Sequence, residues 1–197
     1  EVDLSNLRFC TSGGAPLPVY LVEKFRAEKG VQFKQGFGMT EVGVNCFAMT
    51  VEDSVRKLGS IGKAMMHSEV RLVDADGRDV ATDEIGELWF RGPHVSRGYW
   101  RQSEATAAAY VAGGWFRSGD LARRDAEGFF TIAGRAKEMI NSGGVNVYPA
   151  EIEAVLLQHP GVRDAAVVGI EHPTWGEAGI AFIVPLAPGS AGTESVL

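Results

Sequence analysis

The spacing of apolar residues changes near Gly59, and this change limits the folds available to the chain. Before Gly59, the pattern predicts a strand over residues 7–12, a helix from residue 16 or 18 to Lys29, and a strand over residues 31–37. Gly30 follows the helix and is a suitable end for it. Strand, helix and strand in this order are typical of α/β architecture.

After Gly59, apolar residues alternate with polar ones. Residues 69–73 alternate with a period of two, residues 74–77 form a predicted turn, and residues 87–90 form the next predicted strand. Hairpins of this kind predict a small antiparallel sheet or an open β-barrel. Two further elements are predicted in this part: a helix over residues 103–110 with Ser103 as its N-cap, and a strand over residues 129–132.

A separate block of helix and strands follows residues 135–137. Pro149 starts a helix that is predicted to end near residue 158, and strands are predicted at residues 165–168 and 180–184. This alternation predicts a second, small α+β domain at the C-terminal end. The predicted limits are 1–58 for an α/β portion, 59–135 for a β-barrel portion and 136–197 for the α+β domain.

The composition excludes several kinds of partner. A net charge of −6, a pI near 5.3 and the absence of a basic run argue against a nucleic acid or an anionic membrane. The most apolar segment, residues 180–186, is interrupted by Pro185 and is far shorter than the roughly 20 residues of a membrane helix. We therefore predict no transmembrane segment, and the N-terminal residues predict no signal peptide.

The chain has two cysteines, Cys10 and Cys46, and four histidines. Two cysteines in apolar or strand-like stretches support neither a disulfide framework nor a Cys/His metal site, and they suit a reducing cytoplasm. The histidines lack the spacing of a metal site and are predicted to be structural or exposed to solvent. They are His67, His94, His159 and His172.

The first segment whose residues could take part in binding or catalysis is a glycine-containing turn at the end of a predicted strand. Its sequence is Gln35-Gly36-Phe37-Gly38-Met39-Thr40-Glu41. Backbone N–H groups and Thr40 could hold a phosphate, and Glu41 offers the hard oxygen ligands that Mg²⁺ prefers. The alternative is a structural turn in which Thr40 caps a following helix. The segment alone does not decide between these two interpretations.

The second segment is Phe116-Arg117-Ser118-Gly119-Asp120. A carboxylate has two acceptor oxygens and can accept hydrogen bonds from both hydroxyls of a ribose. The alternative for Asp120 is an ordinary turn residue, since aspartate next to glycine is common in turns.

The third segment runs from Ile132 to Glu153. Arg135 supplies a forked cation for phosphate or ribose oxygens, and Gly143-Gly144 allow the backbone to approach a ligand closely. The alternative is an exposed linker with ordinary surface charges.

Five segments, taken in order, resemble the AMP-forming acyl-CoA synthetase, luciferase and nonribosomal-peptide adenylation superfamily. The resemblance runs through nearly the whole chain, and five matches in order make it specific. The segments are Ser12-Gly13-Gly14-Ala15-Pro16-Leu17 (similar to the adenine-side segment), Gln35 to Glu41 (the signature turn), Gly86 to Gly92 with Gly98-Tyr99-Trp100 (the barrel motif), Ser118-Gly119-Asp120 (the ribose motif) and Gly134-Arg135-Ala136-Lys137 (the interdomain hinge).

The resemblance implies a nucleotide site. Gly14 and Ala15 would line the adenine, Ile132 would pack near it, and Phe37 would lie beside the adenine and the acyl group. The residues implied to bind nucleotide are Gly14, Ala15, Gly36, Phe37, Gly38, Thr40, Asp120, Ile132 and Arg135.

The resemblance also implies catalytic roles. Thr40 and Glu41 would serve the phosphates, with Glu41 as the ligand of Mg²⁺, and Asp120 would bind the ribose hydroxyls. Arg135 would contact the nucleotide, and Lys137 would be the hinge on which the small domain turns. The segment implied to lie near the CoA thiol during thioester formation is Gly143, Gly144 and Val145.

The implied activity is that of a ligase in two steps. A carboxylic acid, fatty or aromatic, attacks the α-phosphate of ATP to give acyl-AMP and pyrophosphate, and the thiol of coenzyme A then displaces AMP. ATP, AMP, Mg²⁺ and coenzyme A are the implied cofactors. The alternatives are an adenylation domain that loads a carrier protein and a non-catalytic module that binds nucleotide or CoA. The sequence leaves the oligomeric state open, a homo-oligomer included.

Two parts that the superfamily uses for adenylation are missing from these 197 residues. No Ser/Thr/Gly-rich loop ending in lysine occurs, and Lys137 is the last lysine, so the catalytic lysine near the C-terminal end is absent. Glu1 in place of an initiator methionine predicts a fragment or a processed product. We therefore expect a chain with the C-terminal part of the large domain and a truncated α+β domain, which alone does not form acyl-AMP.

Overall fold

The computed structural model describes residues 4, 6–15, 17–44 and 46–186. The chain divides into two compact units between Ile132 and Ala133. This division rests on compactness alone, so the domain limits given above stay predictions. The two units are described separately below.

The first unit begins with a β-α-β arrangement. Strand β1 (Cys10–Ser12) pairs in parallel with β2 (Phe33–Gln35), and helix α1 (Val19–Lys29) connects them. Parallel strands need such a crossover, so the predicted order of strand, helix and strand is confirmed. The helix ends where Gly30 adopts a left-handed φ of 67° and its N–H donates to the carbonyl of Arg26.

Both predicted strands of this part were too long. The parallel ladder joins only three residue pairs, from Cys10 with Phe33 to Ser12 with Gln35. The apolar residues before and after these pairs lie in loops. The apolar pattern therefore predicted where β1 and β2 lie in the sequence but not where each strand ends.

The next part contains three short elements that the sequence did not predict. Strands β3 (Phe47–Ala48) and β4 (Lys63–Ala64) form a two-stranded antiparallel sheet, and helix α2 (Val51–Arg56) lies between them in the chain. Thr50 caps α2, since its side-chain oxygen accepts a hydrogen bond from the N–H of Asp53 at 3.0 Å. Elements of two to six residues are too short for periodicity to reveal.

A five-stranded sheet follows, as the alternating pattern predicted. Strands β5, β6, β8 and β7 lie in this spatial order with antiparallel neighbours, and β9 pairs with β8. The sheet also confirms the predicted strand at residues 69–73. The strands are β5 (Glu69–Val73), β6 (Ile85–Arg91), β7 (Tyr110–Val111), β8 (Trp115–Arg124) and β9 (Phe130–Arg135).

Helix α3 (Ser103–Ala109) precedes β7. The prediction that Ser103 is its N-cap was wrong, because Gln102 occupies the N-cap position and makes no side-chain capping hydrogen bond. The helix also ends earlier than expected, since Tyr110 already has an extended conformation and begins β7.

Aromatic side chains dominate the core of the first unit. Phe90 is 0% exposed, and its ring lies 5.8 Å from Phe37 in a stacked arrangement and 5.9 Å from Phe47 in an edge-on one. Phe47 in turn contacts Phe130 at 5.1 Å between ring centroids. Such aromatic pairs contribute beyond their buried area, so this cluster holds the segment around Phe37 against the five-stranded sheet.

The second unit contains a four-stranded antiparallel sheet with the order β11, β10, β13, β12. Pro149 begins its helix, as predicted, but the helix ends two residues before the predicted end. The elements are a 3-10 turn (Ala136–Glu138), β10 (Ile140–Ser142), β11 (Val145–Val147), α4 (Pro149–Leu156), β12 (Val162–His172) and β13 (Gly176–Pro185).

Within the described residues, the helices are all too short or too polar to cross a bilayer.

Candidate functional site: a glycine-rich edge with a held carboxylate

The two N-terminal glycine segments meet at one edge of the first unit. Because β1 and β2 are parallel, the chain leaves both strands on the same side, into Gly13-Gly14 and Gly36. The N–H of Gly36 donates to the carbonyl of Ser12 at 2.7 Å, and a Cβ on Gly13 would lie 3.6 Å from the carbonyl oxygen of Gly36. Ligands of open α/β sheets bind at the carboxyl ends of the strands, and this edge is such a position.

A tight turn follows β2 and carries Thr40 and Glu41. The N–H of Gly43 donates to the carbonyl of Met39 at 2.8 Å. Thr40 is exposed, whereas Glu41 is half-buried. No helix begins at Thr40 in the described residues, so the interpretation of Thr40 as a helix cap was wrong. The next helix is α2, and its cap is Thr50.

The turn depends on the missing side chain of Gly38. A Cβ at this position would lie 2.5 Å from Cα of Val44 and 2.7 Å from the carbonyl oxygen of Gly43, both backbone atoms. Gly36 differs, because a Cβ there would lie no closer than 3.6 Å to its neighbours. The close approach at Gly38 therefore fixes the geometry of the turn that presents Glu41.

We expect Gly38→Ala to lower the free energy of unfolding by about 1–3 kcal/mol, the usual cost of a forced clash in packed structure. Gly36→Ala is the matched control and should change it by at most about 0.5 kcal/mol. Urea unfolding of both variants measures the difference. Equal stabilities would show that the turn adapts to a side chain at Gly38.

Glu41 is held by two groups from a distant segment. The hydroxyl of Tyr99 donates to Oε1 of Glu41 at 2.8 Å, and the backbone N–H of Ser96 donates to the carbonyl of Glu41 at 2.7 Å. The hydrogen bond to the Glu41 carboxylate, together with burial, raises the pKa of Tyr99 to about 12. The hydroxyl therefore stays protonated at neutral pH and remains the donor.

A single carboxylate of this kind fits Mg²⁺. Among the described residues, no donor contacts the second oxygen of Glu41, Oε2. The described residues also contain no group of three or more His, Cys, Asp or Glu that could enclose a metal. Mg²⁺ commonly uses one or two carboxylates, with water and phosphate oxygens as its other ligands. Glu41 with the exposed hydroxyl of Thr40 is compatible with that mode.

Phe37 and Ile132 both pack against the aromatic core of the first unit. Phe37 is half-buried, and its ring contacts Phe47 edge-on at 5.7 Å as well as Phe90. One face of Phe37 is therefore used by the core. Whether the remainder of the ring lies beside an adenine stays a prediction, as does the role of Ile132.

Asp120 lies inside strand β8, so the interpretation as an ordinary turn residue was wrong. Gly119 has a φ of 73° and interrupts the regular strand, and the register of β8 against β6 shifts at this point. Asp120 is 5% exposed, and its N–H donates to Oγ of Ser118 at 3.0 Å. Its role in binding ribose stays a prediction.

The remaining predicted residues come after Ala133, where the second unit begins within β9. Arg135 is the last residue of β9, and Lys137 is an exposed residue of the 3-10 turn. Their predicted roles at the nucleotide and at the hinge are not tested by these positions. Arg135 ends a strand and is exposed, so the alternative of an exposed linker with ordinary surface charges stays open.

Gly143-Gly144 form the two-residue tip of the hairpin between β10 and β11. Their φ angles are 60° and 87°, the left-handed values that such tips require. A Cβ on Gly143 would lie 2.6 Å from the ring of Trp175, so the indole lies against this glycine. Val145, directly after the tip, is exposed. The role of this segment at CoA stays a prediction.

Two histidines that are far apart in the sequence come together. The rings of His67 and His94 lie 5.0 Å apart, and Nε2 of His94 is 2.9 Å from Oγ of Ser68. Burial, and secondarily the neighbouring His67, lower the pKa of His94. His94 is half-buried, and the lowered pKa favours the neutral form of its ring.

Cys46 contacts the backbone of the turn that carries Glu41. It is 0% exposed, its thiol donates to the carbonyls of Val42 and Gly43 at 3.5 and 3.4 Å, and burial raises its pKa to about 11. Both cysteines are free.

We expect iodoacetamide at pH 8 to label Cys10 in the native chain and to spare Cys46. A thiol with a pKa near 11 is a reactive thiolate in only about one molecule in a thousand at this pH, and Cys46 is also buried. Peptide mass spectrometry measures the labelling, and urea-unfolded protein, in which both cysteines react, is the control. Equal native labelling rates would contradict the burial of Cys46.

Parallel strands that end in glycine segments, followed by a turn with a held carboxylate, are typical of enzymes that bind nucleotides. Matches of this chain to known protein families identify the class more narrowly. Residues 1–100 match the family described as AMP-binding enzyme, and residues 151–197 match the AMP-binding enzyme C-terminal domain. The chain belongs to the AMP-binding enzyme family, as the resemblance indicated.

Curated relatives and solved structures agree with this assignment. Feruloyl-CoA synthase of Amycolatopsis sp is 44% identical over 185 residues, and indoleacetate–CoA ligase of Aromatoleum aromaticum is 42% identical over 186 residues; the match covers 94% of this chain in each case. The o-succinylbenzoate CoA synthetase of Bacillus subtilis, solved with its acyl-adenylate intermediate, superposes with a TM-score of 0.84 at 39% identity over 93% of this chain. Another structure of that synthetase contains ATP and a magnesium ion and has a TM-score of 0.83, at 39% identity over 94% of this chain.

The chain spans little more than a third of these relatives. It covers 37% of the feruloyl-CoA synthase, 36% of the indoleacetate–CoA ligase, and 37% and 38% of the two solved synthetase chains.

Proposed function

We propose that this chain provides the adenylate-binding part of an AMP-forming CoA ligase that activates a carboxylic acid. The observation that carries the proposal is the edge where Gly13-Gly14 and Gly36 meet, followed by the turn that presents Glu41. Membership of the AMP-binding enzyme family and the ligase names of its relatives support it. The relatives' names also favour coenzyme A over a carrier protein as the acceptor.

The site residues divide the work of the first step. Backbone N–H groups of the turn and the hydroxyl of Thr40 would bind phosphate oxygens, Asp120 would accept hydrogen bonds from the ribose, and Arg135 would bind nucleotide oxygens. Glu41 would hold Mg²⁺, which when bound neutralises phosphate charge. Positioning and charge stabilisation are the main tasks in phosphoryl-type transfer, and these residues would supply both.

In the second step the thiol of coenzyme A displaces AMP from the acyl group. The hairpin tip Gly143-Gly144 and Val145 would approach the thiol, since two glycines let a backbone come close to a ligand. Lys137 would be the hinge on which the small domain turns between the first and the second step. These roles follow the resemblance and are part of the proposal.

The relatives named above act, by their names, on feruloyl, indoleacetate and o-succinylbenzoate groups, which all contain an aromatic ring. We therefore propose an aromatic carboxylic acid as the substrate class to test first, with fatty acids as the second class.

ATP–pyrophosphate exchange tests the adenylation step. It should be measured on the longest natural form of the protein that contains these residues, with panels of aromatic and fatty acids. Acid-dependent exchange, strongest with aromatic acids, is the expected result. If none of the acids in the two panels supports exchange, the ligase assignment is overturned.

The 197 residues by themselves have a different expected behaviour. They contain neither a Ser/Thr/Gly-rich loop ending in lysine nor a lysine after Lys137, so we expect the isolated chain to bind AMP without forming acyl-AMP. Synthetic acyl-AMP with coenzyme A tests whether it still performs the thioester step. AMP binding without thioester formation would make the isolated chain a passive binding module.

A further inference from the structure

Tyr99 connects the turn that carries Glu41 to a segment 58 residues further along the chain. Its hydroxyl donates to Oε1 of Glu41 at 2.8 Å. The backbone of Glu41 is held from the same segment, because the N–H of Ser96 donates to the Glu41 carbonyl at 2.7 Å. Residues 96–99 therefore fix both the main chain and the carboxylate of Glu41.

The position of Tyr99 is itself fixed. Its N–H donates to Oγ1 of Thr106 at 2.9 Å, and Thr106 donates to the carbonyl of Gln102 at 2.8 Å at the start of helix α3. A Cβ on Gly98, where φ is 134°, would lie 2.6 Å from Cγ2 of Thr106, so the chain lies directly against that helix. The ring of Tyr99 also meets the ring of Tyr110 edge-on at 6.5 Å.

These contacts constrain one oxygen of the carboxylate and leave the other available. The hydroxyl of Tyr99 occupies Oε1, while no donor among the described residues contacts Oε2. A carboxylate held in this way cannot rotate freely, so less conformational freedom is lost when Oε2 binds a ligand. Glu41 as a whole residue is only half-buried.

We propose that Tyr99 is a positioning residue for metal binding: its hydroxyl orients the carboxylate of Glu41 so that Oε2 binds the Mg²⁺ of the nucleotide. The proposal rests on the proposed function, in which Glu41 is the metal ligand. In this role Tyr99 would act through Glu41 and would touch neither the metal nor the nucleotide. Groups that orient a metal ligand typically change metal affinity or activity by about 10–100-fold when they are removed.

The test is the metal dependence of nucleotide binding by the longest natural form of the protein. ATP affinity is measured by calorimetry over a range of Mg²⁺ concentrations, and binding of Mn²⁺ in the presence of ATP is measured by electron paramagnetic resonance. The metal midpoint is the Mg²⁺ concentration at which half of the Mg²⁺-dependent change in ATP affinity is reached. For Tyr99→Phe, which keeps the ring, we expect this midpoint to rise about tenfold or more. The affinity for AMP without metal should stay within about twofold of wild type, which also verifies that the variant folds.

Tyr110→Phe is the matched control. This tyrosine is adjacent to Tyr99, but its hydroxyl contacts Oγ of Ser96 at 2.5 Å and not the Glu41 carboxylate. Its metal midpoint should stay within about twofold of wild type. Glu41→Gln gives the reference for loss of the ligand, and adding Tyr99→Phe to Glu41→Gln should cause no further change in the midpoint.

The outcomes separate the inference from the function. A metal midpoint for Tyr99→Phe within twofold of wild type, or an equal shift in Tyr110→Phe, would overturn the inference alone. A further loss when Tyr99→Phe is added to Glu41→Gln would also overturn it, because Tyr99 would then act through another group. If wild type and Glu41→Gln show the same metal dependence, Glu41 is no metal ligand and the assumed role of Glu41 fails as well.

Discussion

Glu41→Gln should lower the rate of acid-dependent ATP–pyrophosphate exchange by at least about a hundredfold, a loss typical of removing one group that stabilises developing charge. The change keeps the shape of the side chain and can still accept the hydrogen bond from Tyr99, but it removes the negative charge that Mg²⁺ requires. The reaction is measured in the longest natural form of the protein at saturating acid. Metal-free binding of AMP should stay close to wild type, because it does not use this charge.

Glu52→Gln is the control for this experiment. Glu52 is an exposed residue in the first turn of α2, and its substitution should leave the exchange rate within about twofold. An exchange rate for Glu41→Gln within about threefold of wild type would contradict the role of Glu41. A parallel loss of metal-free AMP binding would point to a damaged turn instead of a missing metal ligand.

Part of the order of elements could be predicted from the sequence, because some of the elements have clear local patterns. The alternation at residues 69–73 and the glycine after Lys29 both mark features that the structure contains. The lengths of β1 and β2 could not be predicted, since pairing partners and not apolar character decide where a ladder stops. Short elements such as α2 have fewer residues than a periodic pattern needs.

Parts of the candidate site could be proposed from the sequence for the same reason. Glycine segments and an adjacent hydroxyl and carboxylate are visible in the sequence, so Gly36 and Glu41 could be named as candidates. The contact between Tyr99 and Glu41 could not be predicted, because it joins residues 58 positions apart. The only signal was the segment Gly98-Tyr99-Trp100 itself, which resembled a family motif without indicating what its tyrosine touches.

At Asp120, a turn predicted from two neighbouring residues was wrong. Aspartate after glycine is common in turns, and Gly119 does adopt the left-handed φ that such turns use. The surrounding residues nevertheless pair with β6 on both sides, so the irregularity becomes a bulge within β8. Strand pairing over ten residues outweighs the preference of two, and the carboxyl group ends up almost fully buried.

Phe90→Ala should have the largest effect on stability, a loss of about 3–5 kcal/mol in the free energy of unfolding. Phe90 is fully buried, and its ring contacts both Phe37 and Phe47, so its removal leaves a cavity between the five-stranded sheet and the segment before the Glu41 turn. A loss of this size is a large part of the roughly 5–15 kcal/mol that stabilises a typical protein. Urea unfolding followed by near-UV circular dichroism measures it.

Phe25→Ala is the matched control, because it removes the same side chain from a position on α1 that is 45% exposed. It should cost at most about 1.5 kcal/mol, since much less apolar area is uncovered. Phe90→Leu retains most of the apolar volume and should recover more than half of the loss. If Phe90→Ala costs no more than Phe25→Ala, the aromatic cluster does not hold Phe37 against the sheet. The position of the turn that carries Glu41 would then have to depend on the Tyr99 and Ser96 contacts.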